Sequence, residues 1–466
     1  MRFAITTFGC QMNQHDSERM QEVLRLAGGE PVVSVEAADV IVLNTCSVRE
    51  KAEQKLFSEL GRLARLKRKR PEITLVVAGC LAQQEGEGIV RRAPAVDLVV
   101  GPDNISELPA LLADLDLGGV PRVRTVFDID EPRFLTAPSV LSGRATAYVT
   151  TMKGCNERCS FCIVPYTRGP ERYRPSRDII DEIAALVAGG VREITLLGQT
   201  VNSYRDPQGR LQLAPDAVSD DPDESEFAAL LWAIAEEVPE LARLRYTSPH
   251  PRHLTASLIR AHRELELLPR HVHLPVQSGS DRMLKRMIRR YTRADYLERV
   301  ARLRAAVDGV TISTDVIVGF SGETEGDFVE TLSLVGEAQH VGVFGFMYSP
   351  RPHTPALRLG DDVTEAEKRE RLQRLFEVSE RQMSEHLASL VGSVQRVLIE
   401  GPSKSRPENH SGRSERNEIV HVEGAADVGE IIDIDIVRAY KHSLLGKSSK
   451  PRERASKTRL PLFEAR

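Results

Sequence analysis

Apolar positions along the chain follow two periods, the alternation of a strand and the 3.6-residue repeat of a helix, and the two take turns. Through about residue 120, short β-branched runs at Phe3–Phe8, Val40–Leu43 and Ile73–Val77 alternate with helical stretches at about 16–27, 48–66 and 81–92. That alternation predicts a Rossmann-like open parallel sheet with crossover helices over residues 1–120. Residues 116–142 hold Gly118-Gly119, Pro121, Pro132 and Pro138 and read as a linker. From 143 to 375 the alternation returns, with strands expected at Ala147–Thr151, Glu193–Leu197, Leu244–Thr247, His271–Pro275, Thr311–Val318 and Gly342–Met347. Six successive βα units predict a partial parallel barrel rather than a full one of eight. A long helix begins near Thr364, where Thr364 and Glu367 form a capping-box pattern, and Leu372, Leu375, Phe376, Met383, Leu387 and Leu390 mark one face. It reads as a connector packed on the barrel. Residues 380–446 are strand-rich: Val394, Val397, Leu398 and Ile399 mark one strand, and Ile432, Ile434 and Ile436 alternate with Asp433 and Asp435. With turn signals at Gly401-Pro402, Ser411-Gly412 and Gly424, they predict a small β-barrel. Residues 447–466 are basic and polar and read as a disordered tail.

Composition narrows the setting. The 466 residues suit about three domains, and 41% hydrophobic content is enough to build their cores. There is no run of eighteen apolar residues and no signal-peptide pattern at the N-terminus, so the expected compartment is the cytoplasm. There, clustered cysteines more often bind metal than form disulfides. Net charge is −4, so nucleic-acid binding would need a local basic face. Three patches qualify: Arg62, Arg65, Lys67, Arg68, Lys69 and Arg70; Arg286, Arg289, Arg290 and Arg293; and the tail from Lys447 to Arg459. A solvated surface is the plainer reading of each.

The six cysteines fall into two groups. Cys155, Cys159 and Cys162 form a Cys-x3-Cys-x2-Cys motif directly after the first strand of the six-unit segment, at the end where parallel barrels carry their sites. Three thiolates so close suit a cuboidal iron–sulfur cluster and leave one iron open. A structural zinc would want a fourth ligand, and the closest histidines in sequence are His15 and His250. Cys10, Cys46 and Cys80 are far apart in sequence, yet each follows an apolar strand. If those strands are parallel neighbours, the three thiols emerge at one sheet edge, where open sheets bind ligands. Three inert, buried cysteines are the alternative.

The Cys-x3-Cys-x2-Cys spacing resembles that of the radical S-adenosylmethionine superfamily. Further strings resemble its methylthiotransferase family. They are Thr7-Phe8-Gly9-Cys10-Gln11-Met12-Asn13, Asn44-Thr45-Cys46-Ser47-Val48-Arg49-Glu50, Gly79-Cys80-Leu81-Ala82-Gln83, His273-Leu274-Pro275-Val276-Gln277-Ser278-Gly279-Ser280 and Asp315-Val316-Ile317-Val318-Gly319-Phe320. Glu400-Gly401-Pro402-Ser403-Lys404 and Ser411-Gly412-Arg413 resemble the family's RNA-binding TRAM barrel. Thr200, Ser321 and His353 stand where the family pattern has Asn, Pro and Gly, and none is expected to touch a cysteine.

The resemblance implies two [4Fe-4S] clusters, one on each cysteine trio, and S-adenosylmethionine as both radical source and methyl donor. It places Gln199 and Asn202 near the methionyl amine, Gln277 and Ser278 near the ribose, and Gly319 near the adenine. Gln11-Met12-Asn13 and Ser47-Val48-Arg49-Glu50 resemble the branch that adds a methylthio group to C2 of N6-isopentenyl (dimethylallyl) adenosine next to the anticodon of tRNA. An adenine C2–H bond is neither acidic nor electrophilic, so a radical route fits it. The implied partners are a tRNA anticodon stem-loop and an electron donor such as a flavodoxin or ferredoxin, with no membrane and a monomeric chain. Two neighbouring readings keep the chemistry and change the substrate, to another tRNA adenosine or to a ribosomal-protein aspartate. A non-catalytic RNA-binding iron–sulfur redox sensor and a zinc protein are further alternatives.

Overall fold

The computed structural model describes residues 1–48, 50–115, 122–141, 143–211, 224–403, 409–424 and 426–448. Arg49, Gly118, Gly119, Pro121, Lys404 and the tail beyond Ser448, which carried part of the sequence reading, lie outside them. The chain divides into two compact units, one running from Met1 to Met383 and the other starting at Ser384.

Among the described residues, the first unit opens with a six-stranded sheet of β1 (Arg2–Phe8), β2 (Glu30–Pro31), β3 (Val40–Thr45), β4 (Thr74–Ala78), β5 (Leu98–Val100) and β6 (Arg122–Arg124). The order is β2-β1-β3-β4-β5-β6 and every pairing is parallel. Strands covered on both faces read as unbroken apolar runs. Ile41, Leu43, Leu75 and Val77 pack on one side against Leu56, Leu60 and Leu63 of the helix Glu50–Lys69. Val40, Val42 and Val76 pack on the other against Met20 and Leu24 of the helix Gln11–Leu26. The sixth strand corrects the sequence reading, because Arg122–Arg124 lies inside the stretch taken for a linker. It joins by backbone pairing to Leu98–Val100 and has no apolar period to reveal it. The expected helix at 81–92 is two helices, Cys80–Glu85 and Glu87–Arg92, separated at Gly86 where φ is +49°.

The six expected barrel strands are present as β7 (Thr146–Thr150), β10 (Glu193–Leu197), β11 (Arg243–Tyr246), β12 (His271–His273), β13 (Thr311–Val318) and β14 (Gly342–Met347). They form two parallel three-stranded sheets, β11-β10-β7 and β12-β13-β14. A two-stranded ribbon of β8 (Met152–Lys153) and β9 (Arg172–Tyr173) flanks the first cysteine loop. The helix Glu365–Ser389 starts at the expected capping box, with Glu367 N–H donating to Thr364 Oγ1 at 3.3 Å and Thr364 N–H to Glu367 Oε2 at 2.9 Å. It packs on β14 at Gly345, which lies directly under Leu372, Leu375 and Phe376.

A buried ionic seam joins the N-terminal sheet to the barrel. Arg19 is 2% exposed at its side chain and donates to Glu182 Oε1 at 3.0 Å and to the carbonyls of Tyr148 and Leu135 at 3.1 Å. His15 Nε2 meets Thr150 Oγ1 at 2.7 Å, and Arg168 meets Asp16 Oδ2 at 2.5 Å. Lys153 and Arg172 bind Asp103 and Asp128.

The second unit is a closed barrel of β15 (Val394–Pro402), β16 (His410–Arg413), β17 (Ile419–Glu423), β18 (Ile431–Ala439) and β19 (Leu444–Ser448), in the order β15-β16-β17-β19-β18. Ile434 and Ile436 face inward while Asp433 and Asp435 face water, as the alternation predicts. Three expectations change. Gly401-Pro402 is not a turn but the end of β15, paired to Ser411 and His410, and Ser411-Gly412 is part of β16, where a Cβ on Gly412 would overlap the Leu398 carbonyl. Lys447 and Ser448, read as tail, are the end of β19, paired to Asp435 and Ile434.

Replacing Arg19 by Met leaves Glu182 and Glu18 buried with one fewer positive partner. Breaking such a buried pair costs about 3–5 kcal/mol. Chemical denaturation is expected to show a loss of that order, and a change below about 1 kcal/mol would mean the seam is dispensable.

Candidate metal centre

The loop of the contiguous trio is held on several sides by backbone. Gly154 has φ +78°, and a Cβ there would overlap the Pro170 carbonyl. Cys155 N–H donates to Gly169 O at 3.1 Å, Cys162 N–H to Cys159 O at 3.0 Å and Ser160 N–H to Met287 O at 3.0 Å. Ala356 N–H donates to Ser160 O at 2.8 Å. Burial pushes the Cys155 thiol up to about 11. Burial, with Cys159 and Cys155 as charged neighbours, pushes Cys162 to about 12. Thiols raised this far ionise when a metal takes the proton's place. Two side chains touch this trio. Arg289 Nη1 donates to Cys159 Sγ at 3.4 Å, held in turn by the Tyr291 hydroxyl and the Pro275 carbonyl, each at 2.9 Å. Thr200 Oγ1 lies 2.9 Å from Cys155 Sγ. The expectation that Thr200 is remote from the cysteines is therefore wrong. Leu197 is in register with Thr150, so the loops after β10 and β7 leave the sheet side by side.

For the second trio, β1, β3 and β4 are parallel neighbours with Phe8 opposite Thr45 and Asn44 opposite Ala78. Cys10, Cys46 and Cys80 follow these paired ends at one edge. Their thiols sense one another. A hydrogen bond with Cys46 lowers Cys10 to about 6, helped by the backbone N–H groups of Asn13 and Met12 at the start of the helix Gln11–Leu26. Cys46 is pushed up by the same bond, by burial and by the charges of Cys10 and Cys80. Gly9 and Gly79 permit this closeness: a Cβ on Gly9 would come within 2.9 Å of Cys46 Cβ, and one on Gly79 would overlap Asn44. Asn44 and Asn13 form a buried amide pair beneath the edge, with Asn13 Nδ2 donating to Asn44 Oδ1 at 3.2 Å. Arg168 joins the two trios. It follows the contiguous motif, donates Nε–H to Cys80 Sγ at 3.2 Å, and is anchored by Asp16.

The residues expected around a cofactor lie at the strand ends with distinct environments. Gln199 follows β10, and both its amide atoms are buried without a partner among the described residues. Asn202 is committed to backbone, donating to His250 O at 3.0 Å and accepting from His250 N–H at 2.8 Å. Gln277 has φ +72° and bridges to β13 beside Val316. Ser278 is buried, with its hydroxyl 3.2 Å from Thr331 Oγ1. Gly319 has φ +69°, donates to Glu323 Oε2 at 2.6 Å, and has the Lys368 stem where a Cβ would stand. Buried polar atoms with no partner are costly unless a ligand supplies one, so Gln199 fits a polar cofactor group.

Three family models match the chain: the uncharacterized protein family UPF0004 over residues 2–101, the radical SAM superfamily over 149–335 and the TRAM domain over 388–448. A tRNA-2-methylthio-N(6)-dimethylallyladenosine synthase of Sorangium cellulosum (strain So ce56) is 63% identical, the alignment covering 98% of this chain and 95% of the relative. The enzyme of the same name from Neisseria gonorrhoeae (strain NCCP11945) is 46% identical over 95% of this chain and 98% of its own. The chain belongs to this synthase family. Among solved structures, the radical S-adenosylmethionine methyltransferase TsrM of Kitasatospora setae, with tryptophan and a cofactor analogue bound, superposes with a TM-score of 0.52. That match is 13% identical and covers 86% of this chain and 79% of that one, so the likeness is one of fold.

Within this family fold, other features of the sequence prove structural. In the first basic patch, Arg62 pairs with Glu36 and Glu59, Lys67 with Asp97, and Arg70 with Glu72. In the second, Arg293 pairs with Glu337, Arg286 donates to the Ser321 carbonyl, and Arg289 is the buried donor to Cys159. Glu157, His250 and His253 bring ligand atoms within 4.8 Å of one another. A cation is poorly served there, because Glu157 already meets His253 at 3.1 Å and Arg252 at 3.8 Å. Burial, then Arg289, holds His250 neutral. Among the described residues, no helix is long and apolar enough to cross a membrane. Sequence reasoning missed the roles of Arg168, Thr200 and Arg289, which arise from three separate loops meeting. Arg168 lies six residues past the cysteine motif and Arg289 inside a basic patch, and neither position marked a cysteine contact.

Burial raises the Glu323 carboxyl from 4.5 to about 7 against the opposing pull of the Gly319 N–H and Arg371. The folded protein thus holds this proton more tightly than the unfolded chain. The resulting stability is complete at pH values below the unfolded carboxyl's pKa and is lost as pH rises through about 7. Denaturation at pH 5 and pH 8 should show a fall in the wild type that Glu323→Gln lacks; equal falls in both would refute it.

Proposed function

We propose that this protein adds a methylthio group to C2 of N6-isopentenyl (dimethylallyl) adenosine next to the tRNA anticodon, using S-adenosylmethionine as radical source and methyl donor. One observation carries the reading: Arg168 ties the loop of the 155–162 trio to Cys80 of the second trio, so two cysteine trios share one site. The names of the relatives at 63% and 46% identity supply the substrate.

In this reading each trio holds a [4Fe-4S] cluster. The cluster on Cys155, Cys159 and Cys162, when bound, supplies an electron for reductive cleavage of S-adenosylmethionine, and the one on Cys10, Cys46 and Cys80 supplies a sulfur attachment point. The protein's own part is placement and charge. Arg289 and Thr200 hydrogen-bond thiolates of the first trio and fix their orientation, and Arg168 does so for Cys80. Gln199 offers its free amide to the methionyl amine, and Asn202 braces the loop beside it by holding the His250 backbone. Gln277 and Ser278 border the ribose. Gly319, packed under the Lys368 stem, borders the adenine. Burial of Cys46, Cys80, Cys155 and Cys159 helps keep water away from a radical that would abstract hydrogen indiscriminately. The TRAM barrel grips RNA phosphates, and a small cytoplasmic electron carrier of the flavodoxin or ferredoxin kind reduces the site of the monomeric chain.

Two measurements test this. Deleting the gene is expected to remove the methylthio-isopentenyl nucleoside from tRNA hydrolysates and to leave its unmethylthiolated precursor; unchanged nucleoside profiles by mass spectrometry would sink the function. Anaerobic iron analysis should give about eight irons per chain, falling to about four when Cys10, Cys46 and Cys80 are all replaced by Ala. An unchanged count would make the second trio mere packing.

A further inference from the structure

Three residues lie near the cysteine trios, Tyr166 and Val48 a few positions past Cys162 and Cys46, and His353 in a segment bonded to Ser160. Tyr166 lies in the helix Val164–Thr167, which begins two residues after Cys162 and packs against Cys80–Glu85. Val48 lies two residues after Cys46 and accepts a hydrogen bond on its carbonyl from Arg351 Nη2 at 3.0 Å. His353 follows Arg351 in the segment that Ala356 fastens to Ser160 of the contiguous motif. Together they form a rim with one side near each trio.

Two aromatic rings share this rim. Tyr166 and His353 stand with ring centroids 6.0 Å apart and planes inclined by 34°. Tyr166 is 43% exposed, and His353 is exposed as well. Tyrosine rings normally bury their faces, so an open one beside a site is informative. The backbone adds a second observation. His353 has φ +66°, a region that favours glycine, and glycine is what the family pattern leads one to expect here. His353 thus holds a backbone conformation that L side chains rarely adopt, and it carries its ring to the rim while doing so. The Arg351 guanidinium on the same rim suits an anionic partner.

We propose that Tyr166 and His353 form a stacking platform for the base of an anticodon-loop nucleotide that flanks the target adenosine. The proposal rests on the tRNA reading above. Single-stranded RNA is recognised by splaying bases onto aromatic rings, and every base has a face to offer. Once a neighbour is captured on the rim, the target base is positioned between the trios without being gripped itself. Leaving the target loosely held suits an enzyme that must reach two faces of its chemistry in succession. The platform contributes base stacking and no phosphate contact, so its removal should leave the salt dependence of binding unchanged.

The test is anaerobic binding of the cluster-loaded full chain to an isopentenylated anticodon stem-loop, and to the same RNA made abasic at each loop position in turn. Tyr166→Ala and His353→Gly are compared with Tyr166→Phe, which keeps the ring. His353→Gly suits the local φ and leaves the loop unstrained. The two ring-removing variants are expected to bind about 5- to 100-fold more weakly, with an unchanged slope against salt and with iron content equal to wild type. Tyr166→Phe should bind like wild type. The loss should vanish for the one RNA that lacks the flanking base. Wild-type affinity in the ring-removing variants, or a loss that persists across every abasic RNA, overturns the platform and leaves the function standing. Failure of the wild type to bind the stem-loop overturns both.

Discussion

The geometry of this protein depends on a buried ionic seam between its N-terminal sheet and its partial barrel. Arg19, Arg168 and Arg172 enter it from different elements and each finds a carboxylate: Glu182, Asp16 and Asp103. Such pairs are expensive to bury and return little net stability. What they give is a unique arrangement, since a shifted interface would strand a charge away from water. Here the arrangement that is fixed is the relation between two groups of thiols. Arg168 states this most compactly: one guanidinium is shared between a carboxylate of the sheet's first helix and a thiol at the sheet's edge, while its backbone belongs to the barrel's cysteine loop.

Several polar side chains beneath and around the cysteines are already committed to other protein groups. Asn202 is consumed by the His250 backbone, Ser278 by Thr331, and Asn44 by Asn13 and Ser17. The two amide atoms of Gln199 have no partner among the described residues, and neither do Thr45 Oγ1 and Ser47 Oγ beside Cys46. Residues that look alike in sequence, a Gln and an Asn three positions apart in one loop, thus divide into an uncommitted amide and a brace.

Much of this was legible in the chain. Long buried strands such as Thr311–Val318 announce themselves by composition, and so did the contiguous cysteine motif. Convergence of Cys10, Cys46 and Cys80 could be argued because each ends a readable strand. What was hidden follows a common rule. Glu30–Pro31, Leu98–Val100 and Arg122–Arg124 are too short to show a period; backbone pairing places them, joined by core burial in the case of Leu98–Val100. Gly412 mimics a turn residue because glycine serves both turns and close strand contacts. Thr200, Arg168 and Arg289 act across loops, and a contact between loops leaves no trace in local pattern.

The placement of the second trio also bears on how such chemistry is gained or lost over evolutionary time. Cys10 and Cys80 sit past the last paired residues of their strands, and Cys46 gives the ladder its backbone N–H, donated to Phe8 O at 2.9 Å, with its thiol free of it. The sheet's hydrogen bonds and its two apolar layers owe nothing to sulfur. A lineage could therefore abandon the edge chemistry by three point changes and keep a folded domain for another use. The barrel's trio is set in a loop whose backbone is bonded to Gly169, Met287 and Ala356 along its length. One cysteine set is grafted onto its scaffold, and the other is woven into it.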